Sequence, residues 1–511
     1  MDKNLLLAVA LSMGVYALWF GFIEKRVAPP APAAASAVAR PTGSISSRPE
    51  EKSVAAPAAA PAAASAAAAV DREALNQETS SVDAGLSKLS VHPKGAAVVS
   101  ASYKGPLGSV ELVSDPQPGL FATFPELSFK EEAPGRYWAR HAEGLKIVKE
   151  FLPGGDDRLP RIRVTVSNTS GKSVEAGGWM LSIGPGLGTV ASELDENASL
   201  TRAIALTTPT DGGNGKVEVL KPGEHAGSYR WVGVDNRYFL AAVVAPEGFK
   251  TTSLAPIPAL QLRAPSTELA PKAQAVWEFP YYVGAKATSE LLRHKIGLER
   301  SIDFGFFAQL GRWVLQALNK LHGFTGNWGW AIVLLTLGLQ VLLFPLTYKS
   351  LKAAASMKKL QPEIAKLQQK YSKEPARLNT EMMELYKKTG ANPLGGCLPM
   401  LLQMPVFIAL FNALRGSWEL HGQPWIFWIH DLSARDPYYV LPVIMGALMV
   451  LQAKFNPATT ADPAQAKMMQ WMPVIFTFMF LKFPAGLVLY WLTNSLISTI
   501  QQLALRDHFD K

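Results

Sequence analysis

The side chains capable of covalent or metal chemistry are few and poorly arranged for it. One cysteine, Cys397, stands in 511 residues, so neither an intramolecular disulfide nor a cysteine-based metal site can form. It follows two glycines at the start of an apolar stretch and reads as a small buried residue in a turn. The eight histidines are scattered, with no pair at zinc-ligand spacing. The sequence carries no Walker loop, no dinucleotide fingerprint and no Gly-x-Ser-x-Gly elbow. These residues do not describe an enzyme, and nothing in them calls for a metal or a cofactor.

A different chemistry is available from polar side chains set in apolar surroundings. Thr336 and Gln340 lie four apart, hence on one helical face, inside the apolar run from Asn327 to Thr347. Gln403 and Asn412 interrupt the run Leu398 to Leu414, and Thr493, Asn494, Ser495 and Thr499 interrupt the last one. Such groups normally face a bundle interior or a wet cavity. The plainer alternative is that they bond between helices, worth about 0.6 kcal/mol on average.

The formal charge of +9 has a location. Ten basic residues lie between Lys349 and Lys388, among them Lys358, Lys359, Lys366 and Lys370, against Glu363, Glu374, Glu381 and Glu384. Beside membrane-length apolar runs, such a bias marks a cytoplasmic loop. A DNA-binding footprint would sit on a separate basic fold, so no DNA partner is expected. Leu360, Ile364, Leu367 and Tyr371, then Leu378, Met382 and Leu385, repeat at helical spacing on either side of Ser372-Lys-Glu-Pro. Two amphipathic helices closing on each other are expected, with Pro362 as a kink or a fresh first turn. So basic a hairpin should sit near anionic phospholipids or an approaching ribosome.

The elements that position these groups follow from composition. Leu5 to Ile23 is long enough to cross a bilayer, which takes about 20 residues. It could be a cleaved signal peptide, but its length and the Glu24-Lys25-Arg26 that follow favour a retained anchor. Val27 to Val70 is Ala/Pro/Ser and reads as a tether. From Ser90 to about Gly297, short alternating runs punctuated by Gly and Pro predict an antiparallel sandwich of two face-packed sheets. These runs include Gly95–Tyr103, Gly144–Leu152, Arg161–Asn168, Lys216–Leu220, Tyr238–Ala245 and Ala275–Val283. After Arg161–Asn168, Thr169-Ser-Gly-Lys reads as a turn, with the strand pattern resuming at Val174.

Ser301–Leu321 changes to a helical period, with Trp313 suited to a bilayer interface. Spans follow at Asn327–Thr347, Leu398–Leu414 and Tyr438–Leu451, and Met468–Leu505 is split by Lys482-Phe-Pro-Ala-Gly. The total is six crossings. The basic loop places the β region outside and both termini in the cytoplasm. Lys25 and Arg26 after the first span, against Lys3 before it, pull the other way but are outweighed. The expected units are 1–26 anchor, 27–78 linker, 79–300 β domain, 301–348 interfacial helix and second span, 349–395 basic hairpin, and 396–511 the remaining four spans.

Several segments are specific. Asn392-Pro-Leu-Gly-Gly-Cys-Leu-Pro, Gln403-Met-Pro-Val-Phe, Trp428-Ile-His-Asp-Leu-Ser-Ala, Asp436-Pro-Tyr-Tyr-Val-Leu-Pro, Met472-Pro-Val-Ile-Phe-Thr and Pro484-Ala-Gly-Leu-Val-Leu-Tyr-Trp occur in this order. They resemble the YidC insertase family over about Ile302 to Arg506, in its Gram-negative form with a large outer domain. The resemblance implies an α+β membrane protein: a six-span helical protein with a five-helix insertase core plus a periplasmic β super-sandwich.

It implies a chaperone and insertase of the bacterial inner membrane. A hydrophilic groove would take a substrate's outer segment while the apolar span slides into lipid. Nascent membrane proteins, the SecYEG translocon, SecDF and the ribosome are the implied partners. Groove positions would be Thr336, Gln340, Gln403, Asn412, Trp491, Asn494 and Ser495, with Phe407 and Met445 on the apolar slide. The family's groove usually carries an Arg five residues before the Pro of a Pro-Leu-Thr segment. Here that Pro is Pro345 and the position is Gln340, so the implied pull on acidic tails does not carry over.

Two other classes fit less well. A polytopic transporter would keep ionisable groups or broken helices at mid-membrane in repeated halves. A sugar-processing enzyme would need paired acid and base groups. The sequence shows neither pattern.

Overall fold

The computed structural model describes residues 79–209, 215–371, 374–390, 398–455 and 463–510. The anchor Leu5–Ile23, the tether and Cys397 lie outside the described residues.

The first half of the described chain is β-structure. Period-two alternation makes Arg161–Asn168 a strand with Ile162, Val164 and Val166 buried. It pairs with Leu145–Leu152 on one side and Gln274–Ala285 on the other, in register Val164↔Lys149 and Val164↔Trp277. These strands centre a nine-stranded antiparallel sheet running from Val217–Val219 at one edge to Lys130–Ala133 at the other. Two four-stranded sheets and a two-stranded pair accompany it, so the expected two sheets become four. Alternation reveals which face of a strand is apolar but not its pairing partner. Thus Val174–Glu175 pairs with Glu268–Leu269, although sequence suggested a return from Arg161–Asn168. One apolar core packs residues from both four-stranded sheets and the main sheet, including Leu89, Leu181 and Phe279.

Helices α1 (Leu194–Leu200) and α2 (Thr288–Arg293) belong to this half. Helix α3 (Ala308–Thr325) begins later than the periodicity from Ser301 suggested, because a 3-10 turn occupies Gly305–Phe307. Its Val314, Leu315 and Leu318 are buried while Trp313 is 59% exposed, an amphipathic pattern.

Helix α4 spans Trp328–Lys370 without interruption, its N-terminus capped by the Asn327 side chain accepting from Trp330 N–H. Both Pro345 and Pro362 are inside it, so Pro362 starts no fresh helix and residues 348 and 349 share one rod. α5 (Pro375–Thr389) folds back along it, and Met357, Ile364, Leu378, Met382 and Tyr386 form their own small core. The spacing of the expected hairpin is thereby realised.

α6 (Leu398–Gly416), α7 (Val440–Phe455), α8 (Pro463–Phe480) and α9 (Ala485–Asp510) complete the bundle. The break between α8 and α9 falls at Lys482-Phe-Pro, as the sequence predicts. α7 and α8 approach closely: a Cβ on Gly446 would stand 2.1 Å from the Thr477 hydroxyl. Among the described helices, α4 is the one long and apolar enough to cross a membrane by the length test, and Val440–Lys454 and Gln470–Phe480 are shorter apolar stretches.

Candidate functional site

Three glutamines from three helices converge on α9. Gln340 of α4 donates its amide to the Asn494 side-chain carbonyl. Gln403 of α6 donates to the Tyr490 hydroxyl, one turn away on the same helix. Gln452 of α7 donates to the Ser495 backbone carbonyl at 2.7 Å and to the Thr499 hydroxyl at 3.0 Å. At 1.5 Å rise per residue, Asn494 lies about 14 Å from the start of α9, and Gln340 about 18 Å from the start of α4. The bundle around them is apolar, including Leu410, Val488, Leu489 and Phe480.

The remaining expected positions separate. Thr336 is fully buried, but its hydroxyl bonds its own helix at Ile332 O, 2.7 Å away. Thr493 does likewise with Leu489 O. Asn412 does not join the polar layer: its amide holds the Phe304 carbonyl at 3.0 Å, in the approach to α3. Nine residues separate it from Gln403, about 14 Å along α6. Trp491 packs among Phe407 and Phe480, at 4.9 and 5.2 Å between ring centroids, in an aromatic cluster. Met445 is 0% exposed, so it cannot be a surface on which another chain slides. The helical period alone left open which face of α7 turns inward; Val443 and Ile444 are the exposed ones. Ser495 is buried and contributes its backbone carbonyl. Lys358, Lys359, Lys366 and Lys370 are all exposed on the hairpin.

Sequence reasoning missed Gln452 and Tyr490. Gln452 stands just past Leu451, the end of its apolar run, and Tyr490 hides in Leu487-Val-Leu-Tyr-Trp.

On one side of the bundle, the ends of these helices are tied by one loop, Ser417–Tyr439. Its Leu432 and Ala434 carbonyls accept from Gly486 and Ala485 N–H at the start of α9, at 2.9 and 2.7 Å. Its Pro424 carbonyl accepts from the Asn327 side chain at the start of α4. Trp425 lies so close over Gly329 that a Cβ there would stand 2.0 Å from its ring. Asp436, buried, caps α7 by accepting from Leu441 N–H at 2.8 Å, and also takes the Trp428 indole N–H at 3.0 Å.

Comparison with known proteins agrees along the chain. A family model described as 60Kd inner membrane protein matches residues 320–511, and one described as YidC periplasmic domain matches 130–317. The membrane protein insertase YidC of Endomicrobium trichonymphae is 39% identical, over 84% of each chain. That of Syntrophus aciditrophicus is 33% identical, over 98% of this chain and 99% of the relative. A crystal structure of an active YidC insertase aligns over 86% of this chain and 98% of its own, at 18% identity and TM-score 0.40.

Proposed function

The chain belongs to the YidC family of membrane protein insertases, and from that premise we propose how its own residues serve insertion. It is a membrane protein insertase with a periplasmic β-sheet domain and a helical core, in a family of the inner membrane.

In our reading it has six spans: Leu5–Ile23, then α4, α6, α7, α8 and α9, the last five forming the core. The ten basic residues of Lys349–Lys388 favour a cytoplasmic hairpin, with both termini on that side. The units at 1–26, 27–78, 79–300, 301–348, 349–395 and 396–511 are retained as functional divisions, although α4 runs through 348. Lys358, Lys359, Lys366 and Lys370 offer an exposed cationic face to anionic phospholipids or a ribosome. SecYEG and SecDF remain proposed partners on the family likeness.

The observation that carries the mechanism is the polar layer on α9. Gln340, Gln403 and Asn494 place amides inside an apolar bundle, where a lone polar group would be costly. Paired at rest, Gln340 with Asn494 and Gln403 with the Tyr490 hydroxyl, they can exchange those bonds for the backbone of an entering outer segment. An exchange of hydrogen bonds changes free energy little, whereas crossing bare hydrocarbon leaves each backbone group several kcal/mol worse off. The substrate's apolar span stays outside, along exposed faces such as Val443 and Ile444 of α7 and Ile475 and Phe478 of α8.

The test is reconstitution. Purified protein in lipid vesicles should render the outer tail of a single-span substrate resistant to added protease, while conferring no solute flux. Flux without insertion would favour the transporter reading instead.

A further inference from the structure

We propose that the β domain braces the outer loop Ser417–Tyr439, with Trp418 as the positioning residue through which it does so. Trp418 belongs to the loop between α6 and α7, yet its ring is 7% exposed and lies in the apolar core of the β domain. It meets Phe239 at 5.0 Å and Tyr103 and Tyr238 at 5.7 Å between ring centroids, each from the β domain. Three further contacts flank it. Glu419 accepts the Thr288 N–H at 2.7 Å. Arg237 donates from Nε to the Arg415 carbonyl at 2.9 Å and pairs with Glu193. Arg415 reaches Glu196 at 3.3 Å.

The same loop is bonded to the starts of α4, α7 and α9. A covalently continuous segment is therefore held from above by an aromatic box and from below by three helix ends. Aromatic pairs contribute beyond their burial, and three polar contacts around them fix orientation as well as affinity. Without the box, a loop of about twenty residues would rest on its helix-end bonds and the Glu419–Thr288 contact. The domain's role in this account is to keep the outer end of the bundle closed above the polar layer.

The experiment uses full-length protein in detergent, with Cys397→Ser and one reporter, Ile429→Cys, at a buried position within the loop. Labelling by a small maleimide is timed. Trp418→Ala should raise the rate at least tenfold, Tyr103→Ala from the other side of the contact should raise it too, and the pair together should add little. Trp418→Phe, which keeps an aromatic ring in the box, should restore slow labelling. Trp138→Ala, in the β domain away from the contact, should leave the rate unchanged. Labelling unaltered by both Trp418→Ala and Tyr103→Ala overturns the proposal. So does a rise that Trp418→Phe does not reverse, or one that Trp138→Ala reproduces, since either signals general loosening instead of a lost brace.

Discussion

Gln340 on α4 and Asn494 on α9 are hydrogen-bonded amide to amide across the interior of the helical bundle. The bond joins one donor to one acceptor at a partly buried position, and each residue sits one helical turn from a second polar residue, Thr336 or Tyr490. Asn494→Leu leaves the Gln340 amide without this partner; Gln340→Leu does the reverse. Thermal or denaturant unfolding of the two single variants and the double should show a coupling of about 0.6 kcal/mol, the usual scale for such pairs in membranes. Additive single effects would mean that the contact contributes nothing to stability.

Orientation is testable by protease. A tag inserted at Thr380, in the hairpin, should be protected in spheroplasts, whereas one at Gly171, in a turn of the β domain, should be digested. Equal protection of the two sites contradicts the proposed topology.

Division of labour between the halves makes a third prediction. The polar layer is built entirely from α4, α6, α7 and α9. A chain lacking residues 80–287 but keeping everything from Thr288 onward should retain most insertion activity in a depletion strain. Its outer loop, deprived of the box around Trp418, should label faster at Ile429→Cys. Complete loss of insertion in a stably produced deletion would place the activity elsewhere.

The loop also carries a pH dependence. His421 stacks on Trp418 and lies 3.1 Å from the Ser433 hydroxyl, facing Tyr238. Burial lowers its pKa below the ordinary 6.5 and Arg237 adds to this, while Asp431 and Glu193 oppose it. The unfolded chain therefore takes up this proton more readily than the folded one. The stabilisation from neutral His421 is full above pH 6.5 and declines as pH falls through the lowered folded value. His294, also shifted down by burial, contributes a slope of its own. Hence the comparison is between parent and His421→Gln: melting temperature should fall less steeply from pH 7.5 to 5 in the variant. Parallel profiles would remove His421 from the account.

Much of this was legible in the sequence because period and composition speak directly to which face is apolar. The strand Arg161–Asn168, the hairpin around Ser372-Lys-Glu-Pro and the break at Lys482-Phe-Pro all fall where those signals place them. Pairing was less legible. Four sheets arose where two were expected, since alternation does not reveal a strand's neighbours, and Val174–Glu175 found its partner nearly a hundred residues away. Rotation of a nearly all-apolar helix is equally silent. α7 shows no polar face between Val440 and Leu451, so Met445 was expected on the slide and is found in the interior. Asn412 interrupts its run two residues from the end, and a polar residue within an apolar run does not declare which neighbour it meets; it holds the approach to α3. Trp418 was invisible for a related reason, because its partners lie some two to three hundred residues earlier.

The most direct test of the central claim, that polar groups inside this bundle receive the outer segment of a substrate, is a protease-protection insertion assay with Gln340→Leu. Paired substrates carry either a neutral polar or an acidic outer tail on the same apolar span. Leucine cannot offer the amide's donors and acceptor, so insertion of both tailed substrates should fall, while Gln340→Arg should be tolerated and favour the acidic tail. If the leucine variant inserts both substrates as well as the parent does, Gln340 is a packing residue and the polar-layer mechanism is wrong for this protein.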